Sequence, residues 1–293
     1  MRSRMAQVVI FAAACLWASG RRVNAQSCPT PHASDSGRSS GPEISIAEVA
    51  FSGAHQLATS DQDQIAASIK DQTYGESRDG ATDGALERAR AGWQNHGYFK
   101  VQVKGYAAEL DSTFASRRLA LSVQVDEGVQ YRLGGIKFKG NRAVRNLGAL
   151  RSLFPIKDGD TFSREKIMTG LEDLHKAYGQ LGYINFTPVP NTIFDDEKQL
   201  IDLDIDVDEG KQFFVDCINI LGVDESSRAQ MLQDFLLKPG QIYNGRLVEL
   251  FLKREHGSVP SDCECNDRPS LQLDESLGLV TLTFDFRSCL GGR

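Results

Sequence analysis

The chain has 293 residues, 33 basic and 39 acidic side chains, a formal charge of −6 and 41% hydrophobic residues. Acids dominate and both signs of charge are interspersed, so the basic stripe that marks nucleic-acid binding is missing and nucleic acid is excluded as a partner. Beyond the first residues no stretch is apolar for long enough to form a membrane-spanning helix.

Residues 1–25 read as a secretory signal peptide. Arg2 and Arg4 form a basic start, Val8 to Ala18 an apolar core too short to span a bilayer, and Val23-Asn24-Ala25 fits the small-x-small cleavage rule. A lipid-anchored alternative would use Ala13-Ala14-Cys15, behind a shorter apolar stretch. Cleavage after Ala25 removes Arg2, Arg4, Arg21 and Arg22 and no acid, taking the charge from −6 to −10. Residues 26–43 are rich in Ser, Pro, Gly and Asp with little to bury, which predicts a flexible polar leader.

From Ile44 a segment of roughly eighty residues occurs three times. Asp126-Glu127-Gly128 recurs as Asp208-Glu209-Gly210, Gly97-Tyr98 as Gly182-Tyr183, and Gly53, Gly140 and Gly222 each follow a β-like run. Tandem arrays of this kind usually present binding surfaces rather than reaction sites. Copy one predicts a strand at Ile46 to Phe51, helices around Ile65 to Ile69 and Ala85 to Trp93, and strands at Tyr98 to Lys104 and Leu119 to Val125.

Copy two is the clearest. Tyr131 to Lys139 alternates as a strand and ends on a Gly140-Asn141 turn. Leu147, Leu150, Leu153 and Phe154 stand at helical spacing until Pro155. Ser163 caps a second helix whose apolar stripe is Ile167, Met168, Leu171, Leu174, Tyr178 and Leu181, closed by Gly182. Tyr183, Ile184 and Phe186 begin a second strand, and Leu203, Ile205 and Val207 alternate with Asp202, Asp204 and Asp206 in a third. Copy three runs in the same order: Phe213 to Leu221, Met231 to Leu237, Leu247 to Leu252, Leu271 to Leu273, and Leu279 to Phe286. The expectation is an α+β chain of three βααββ domains, residues 44–128, 129–210 and 211–290, each a three-stranded mixed sheet covered by two helices.

The stretches Gly135-Ile136-Lys137-Phe138-Lys139-Gly140-Asn141, Tyr178-Gly179-Gln180-Leu181-Gly182-Tyr183 and Val207-Asp208-Glu209-Gly210-Lys211 resemble the polypeptide-transport-associated, or POTRA, domains that precede the barrel of BamA-like outer-membrane assembly factors. The resemblance implies a periplasmic protein, peripheral to the outer membrane, that docks unfolded or extended outer-membrane protein segments, a separate β-barrel assembly protein or accessory lipoproteins. Arg293 follows copy three directly, and a barrel needs about 9 to 11 residues in each of at least eight strands, so no barrel is expected. Copy three departs from the pattern: Cys263-Glu264-Cys265 stands in the segment where Gly-Tyr is expected, and the terminal Asp-Glu-Gly is absent.

In the family fold the second strand is the sheet edge. Polypeptides would then add to Tyr98, Phe99, Lys100, Val101, Gln102, Val103 and Lys104 in copy one, and to Tyr183, Ile184 and Phe186 in copy two, where Pro188 and Pro190 remove donors. Gly128 and Gly210 lie where the chain passes between repeats and needs unusual backbone angles. Asp126, Glu127, Asp208 and Glu209 are expected to cap or solvate that junction and set the angle between repeats.

Six cysteines less Cys15 leave five, so at least one is free or paired with another chain, and disulfides are the first expectation for an exported protein. By the family resemblance the first and last strands of copy three are antiparallel neighbours, which would join Cys217 to Cys289. Cys263-Glu264-Cys265 lacks zinc spacing and a histidine pair, so no metal site is assigned. No catalytic or phosphate-binding motif is present, and no cofactor is implied. His32, His55, His96, His175 and His256 are scattered, Asp195, Asp196 and Glu197 read as a hairpin loop, and Asp202, Asp204 and Asp206 as the wet face of a strand, with Ca²⁺ binding as the sharper alternative. The leading function is a scaffold that binds polypeptides by strand addition. The alternatives are a bridging subunit with one fixed partner, and a thiol-redox enzyme, which would need a Cys-x-x-Cys that this chain lacks.

Overall fold

The computed structural model describes residues 43–74, 77–113, 116–255 and 269–287. The signal peptide, the leader to residue 42, and Cys28, Cys263, Cys265 and Cys289 lie outside them.

The first repeat comprises β1 (Glu43–Ala54), α1 (Thr59–Lys70), β2 (Thr73–Tyr74), α2 (Arg78–Asn95), β3 (Gln102–Ser112) and β4 (Ser116–Asp126). The second comprises β5 (Arg132–Lys139), α3 (Leu147–Arg151), α4 (Arg164–Gly179), β6 (Thr187–Asp195) and β7 (Leu200–Asp208). The third comprises β8 (Phe214–Leu221), α5 (Glu225–Asp234), α6 (Gly245–Glu255), β9 (Ser270–Asp274) and β10 (Leu279–Asp285). The sheets are separate, ordered β2-β1-β4-β3, β5-β7-β6 and β8-β10-β9, and among the described residues none closes into a barrel. The short β2, which makes the first sheet four-stranded, was not visible in the apolar pattern.

In each repeat the first strand lies parallel to the last, and the remaining long strand pairs antiparallel to the last through a hairpin. A parallel neighbour needs a long crossover; the two helices supply it and cover one face. Alternation along the central strand fills the core beneath them: Leu119, Leu121, Val123 and Val125 in the first repeat, Ile201, Leu203, Ile205 and Val207 in the second, Val280, Leu282 and Phe284 in the third. Ser163 caps α4 by accepting from the Lys166 N–H at 3.3 Å, as its sequence position predicts. On α4, Ile167, Leu174 and Tyr178 are buried, but Met168 is 50% exposed and Leu181 lies beyond the helix end at 42%.

Two expectations are corrected. The second strands begin later than the apolar residues suggested, at Gln102 and Thr187, because the turn after each helix consumes the preceding residues. The first and last strands of copy three are parallel, not antiparallel: Cys217 stands opposite Thr281, whereas β10 leaves the sheet at Asp285, opposite Leu221. Cys217 is disulfide-bonded, and Cys289, its expected partner, is outside the described residues.

Candidate functional site: open edges and repeat junctions

Among the described residues, strands β3, β6 and β9 each pair with one neighbour only, leaving a row of backbone groups unpaired within their sheets. Gln102, Val103 and Lys104 lie on β3, as expected. On β6, Pro188 stands opposite Val207 and Pro190 opposite Ile205; their equal parity removes two donors from the same side of the strand. A groove lies beside part of each of these two edges, a feature that strand periodicity could not show. One, of about 450 Å³, lies between α4 and β6 and is lined by Phe99, Phe162, Ile167, Met168, Leu171 and Pro190, among others. The other, of about 600 Å³, lies between α2 and β3 and is lined by Asp83, Leu86, Glu87, Arg90, Lys104 and Gly105, with Val103.

The remaining residues expected on the edges do a different job. Tyr98, Phe99, Lys100 and Val101 precede β3, and Tyr183, Ile184 and Phe186 precede β6. Each segment forms a junction of the same design. Tyr98 and Tyr183 pack against the core of their own repeat; Phe99 and Ile184, one residue later, pack against the core of the next. Phe99 meets Phe162 edge-on at 5.3 Å between ring centroids and Phe194 at 5.5 Å. The next position reaches the following repeat's hairpin: the Lys100 ammonium donates to Asp196 at 2.7 and 3.0 Å, and Asn185 Nδ2 donates to Glu275 at 2.9 Å. Val101 and Phe186 then return to their own cores.

Backbone contacts repeat as well. The Tyr131 N–H donates to the Gly97 carbonyl at 2.8 Å, and the Phe213 N–H to the Gly182 carbonyl at 2.8 Å. Gln130 Nε2 donates to the His96 carbonyl and Gln212 Nε2 to the Leu181 carbonyl. Gly97 and Gly182 adopt φ of +90° and +86°, and a Cβ on either would meet the next repeat, 2.8 Å from the Tyr131 oxygen or 2.7 Å from Ile242 Cγ2. The first junction carries additional charge: Arg164 donates to Glu87 at 2.8 Å and to Gln94 at 3.1 Å, and the Tyr131 hydroxyl donates to Asp196 at 2.7 Å. Lys100 and the Tyr131 hydroxyl hold the Asp196 carboxyl below its usual range, and Arg164 does the same for Glu87. Asp196, expected in a solvated hairpin, is thus the receptor for the preceding repeat.

The Asp-Glu-Gly motif also acts differently from expectation. Glu127 is buried and accepts from the Gln56 and Leu57 N–H groups and from the Trp93 indole at 3.2 Å, all within the first repeat. Glu209 accepts from the Arg142 and Ala143 N–H groups at 2.7 and 2.8 Å and from the Tyr178 hydroxyl at 3.1 Å. Each Glu ties the loop after the first strand to the second helix of its own repeat, rather than capping the passage between repeats. Burial and the Glu209 carboxylate push the Tyr178 hydroxyl far above the usual tyrosine range. Asp126 is exposed, and Asp208 accepts from the Gly210 N–H at 3.1 Å. Gly128 and Gly210 adopt φ of +66° and +63°, the angles expected of the linkers.

On the outer face of the second sheet Asp204 accepts from Lys139 at 2.5 Å, and Asp206 from Asn191 at 2.8 Å, so these carboxylates join neighbouring strands. Among the described residues no group of three or more His, Cys, Asp or Glu is placed to hold a metal ion.

Comparison with known proteins agrees with this architecture. Residues 131–210 match the POTRA family model, described as a surface antigen variable number repeat. The chain is 29% identical over 168 residues to an outer membrane protein assembly factor of Treponema pallidum (strain Nichols), covering 55% of this chain and 20% of that protein. It is 23% identical over 141 residues to outer membrane protein assembly factor BamA of Neisseria meningitidis serogroup B, covering 47% of this chain and 17% of that protein. The chain thus spans about a fifth of the length of these relatives. The structure of POTRA domains 3–5 of Haemophilus influenzae BamA superposes with a TM-score of 0.62 at 21% identity, covering 83% of this chain and 96% of that one. Residues 131–210 thus match a POTRA domain, the repeats on either side share its fold, and the chain is similar to the POTRA region of BamA.

Proposed function

We propose that the chain is a periplasmic scaffold for outer-membrane protein assembly, built from modules of residues 44–128, 129–210 and 211–290, that binds extended polypeptide segments by strand addition. One observation carries this reading: β3 is an eleven-residue edge strand, free of proline, with a groove between α2 and its first residues, Val103, Lys104 and Gly105. An added strand would satisfy the edge donors and acceptors regardless of sequence, while the groove gives modest side-chain preference. Three or four backbone bonds at about 0.5 to 1.5 kcal/mol each must offset the cost of association, so one edge binds weakly. Several edges on one chain raise the effective concentration of the next contact. The relatives named as assembly factors support the setting, and the residues before Gln26 support export.

An NMR titration of the full chain with an extended peptide of about ten residues tests the reading, with β3 amides expected to shift and to gain protection from exchange. Val101→Pro would not isolate this effect. Val101 is 4% exposed and its N–H donates to the Tyr98 carbonyl at 3.2 Å, so proline there would break the junction turn. Backbone N-methylation of the peptide is the cleaner control. Shifts confined to another surface, or binding that survives N-methylation, would refute strand addition at β3.

A further inference from the structure

The two grooves described above adjoin. Glu87 lines both of them, facing the α2–β3 groove from one side and the α4–β6 groove from the other. Lys100 and Asp196 make the strands adjoin too: Asp196 follows the last residue of β6, and Lys100 stands two residues before the first of β3. β6 therefore arrives at this contact and β3 departs from it, with their chain directions following one another across the junction. The linings differ in chemistry. The α4–β6 groove presents Phe99, Phe162, Ile167, Met168 and Leu171 beside the Glu87–Arg164 pair, whereas the α2–β3 groove mixes Leu86 with Asp83 and Lys104, neither of which has an ion-pair partner among the described residues. Pro188 and Pro190 occupy the first half of β6, so its backbone donors for an added strand are concentrated next to the junction.

We propose that the grooves form one track for a single extended polypeptide, which seats an apolar side chain between α4 and β6 and continues as a strand added to β3. This rests on the reading of the chain as a polypeptide scaffold and specifies its ligand: one segment crossing the first junction, apolar at one end and predominantly polar along the remainder. With nine residues in β6 and eleven in β3, a segment of about 20 residues at about 3.3 Å each covers the track. The Arg164–Glu87 pair and the Lys100–Asp196 pair hold the two halves in line, which makes the junction part of the binding site.

The test uses the full chain and synthetic peptides of alternating Val and Thr, about 20 residues long, carrying one Phe near either end, together with their halves of about ten residues. Affinity is read by fluorescence anisotropy. The better of the two long peptides should bind at least about tenfold tighter than either half. Met168→Glu, at a half-exposed position that leaves the core untouched, should return the long peptide to the affinity of the half without Phe. N-methylation of its half without Phe should return it to the affinity of the half with Phe. Thermal unfolding of the variant checks that it remains folded. A long peptide that binds no tighter than its better half, while the halves still bind, would overturn the single track and leave the scaffold reading intact. Absence of binding by any of the peptides would overturn both.

Discussion

Lys100 of the first repeat and Asp196 of the second form a charge-assisted contact, 2.7 and 3.0 Å from the ammonium to the two carboxylate oxygens, with the ammonium also 4.5 Å from the centroid of the Phe194 ring. The corresponding pair at the second junction, Asn185 and Glu275, carries one formal charge instead of two. The first junction also has the Arg164–Glu87 pair and the Phe99 ring, where the second has Ile184. Lys100→Ala should therefore loosen repeat one against repeat two and leave the second junction unchanged. Residual dipolar couplings fitted repeat by repeat would show this, and an unchanged orientation would mean that Phe99 alone holds the junction.

The same contact sets a pH response. The folded-state pKa values of Asp196 and Glu87 are depressed from 3.8 and 4.5 by their cationic partners. A depressed carboxylate stabilises the junction fully above its unfolded pKa and loses that contribution as pH falls through the folded value. Junction order should thus hold from neutral pH down to about 5 and weaken below about 4. Added salt at neutral pH should weaken it too, because these groups are largely exposed and screened. Small-angle scattering across a pH series checks the direction. Loosening that begins between pH 6 and 7 would point to a histidine instead.

Removing the Glu127 carboxylate strips three donors of their acceptor at a buried position. Glu127→Ala should destabilise the first repeat by about 2 to 4 kcal/mol, the range expected when several buried donors lose their partner. Glu209→Ala, at a more exposed position, should cost less. Urea midpoints followed through Trp93 fluorescence would report the first substitution. A change below about 0.5 kcal/mol would show that water replaces the carboxylate.

Gly97→Ala combines a positive φ with a Cβ pressed against the next repeat. It should cost about 1 to 3 kcal/mol of strain and displace Tyr131, whose N–H donates to the Gly97 carbonyl. Amide exchange at Tyr131 should accelerate. Gly182→Ala should have the same effect at Phe213.

Cys217 is disulfide-bonded, and peptide mapping without reduction identifies its partner. The proposed link to Cys289 would close 72 residues and contribute about 4 kcal/mol at most. A link to Cys28, Cys263 or Cys265 would replace that proposal.

Sequence alone determined the array, the order of the longer elements and most of the core positions, because burial of alternate residues on strands and of one stripe on helices leaves a direct trace in the apolar pattern. The Gly-Tyr and Asp-Glu-Gly repeats were equally legible as motifs, but their roles were not. Phe99 and Val101 are both apolar residues next to a strand, and nothing in their periodicity says that Val101 serves its own core while Phe99 serves the next. That distinction depends on how one repeat is rotated onto another. Likewise, Asp196 reads as a loop carboxylate until the fold brings Lys100 to it across 96 positions of sequence. The direction of β8 relative to β10 is also invisible in alternation, which has the same period for parallel and antiparallel strands; only the crossover through α5 and α6 makes them parallel. Tertiary structure thus decided where repeats grip one another and where edges stay open, since both depend on contacts between segments whose local patterns are independent.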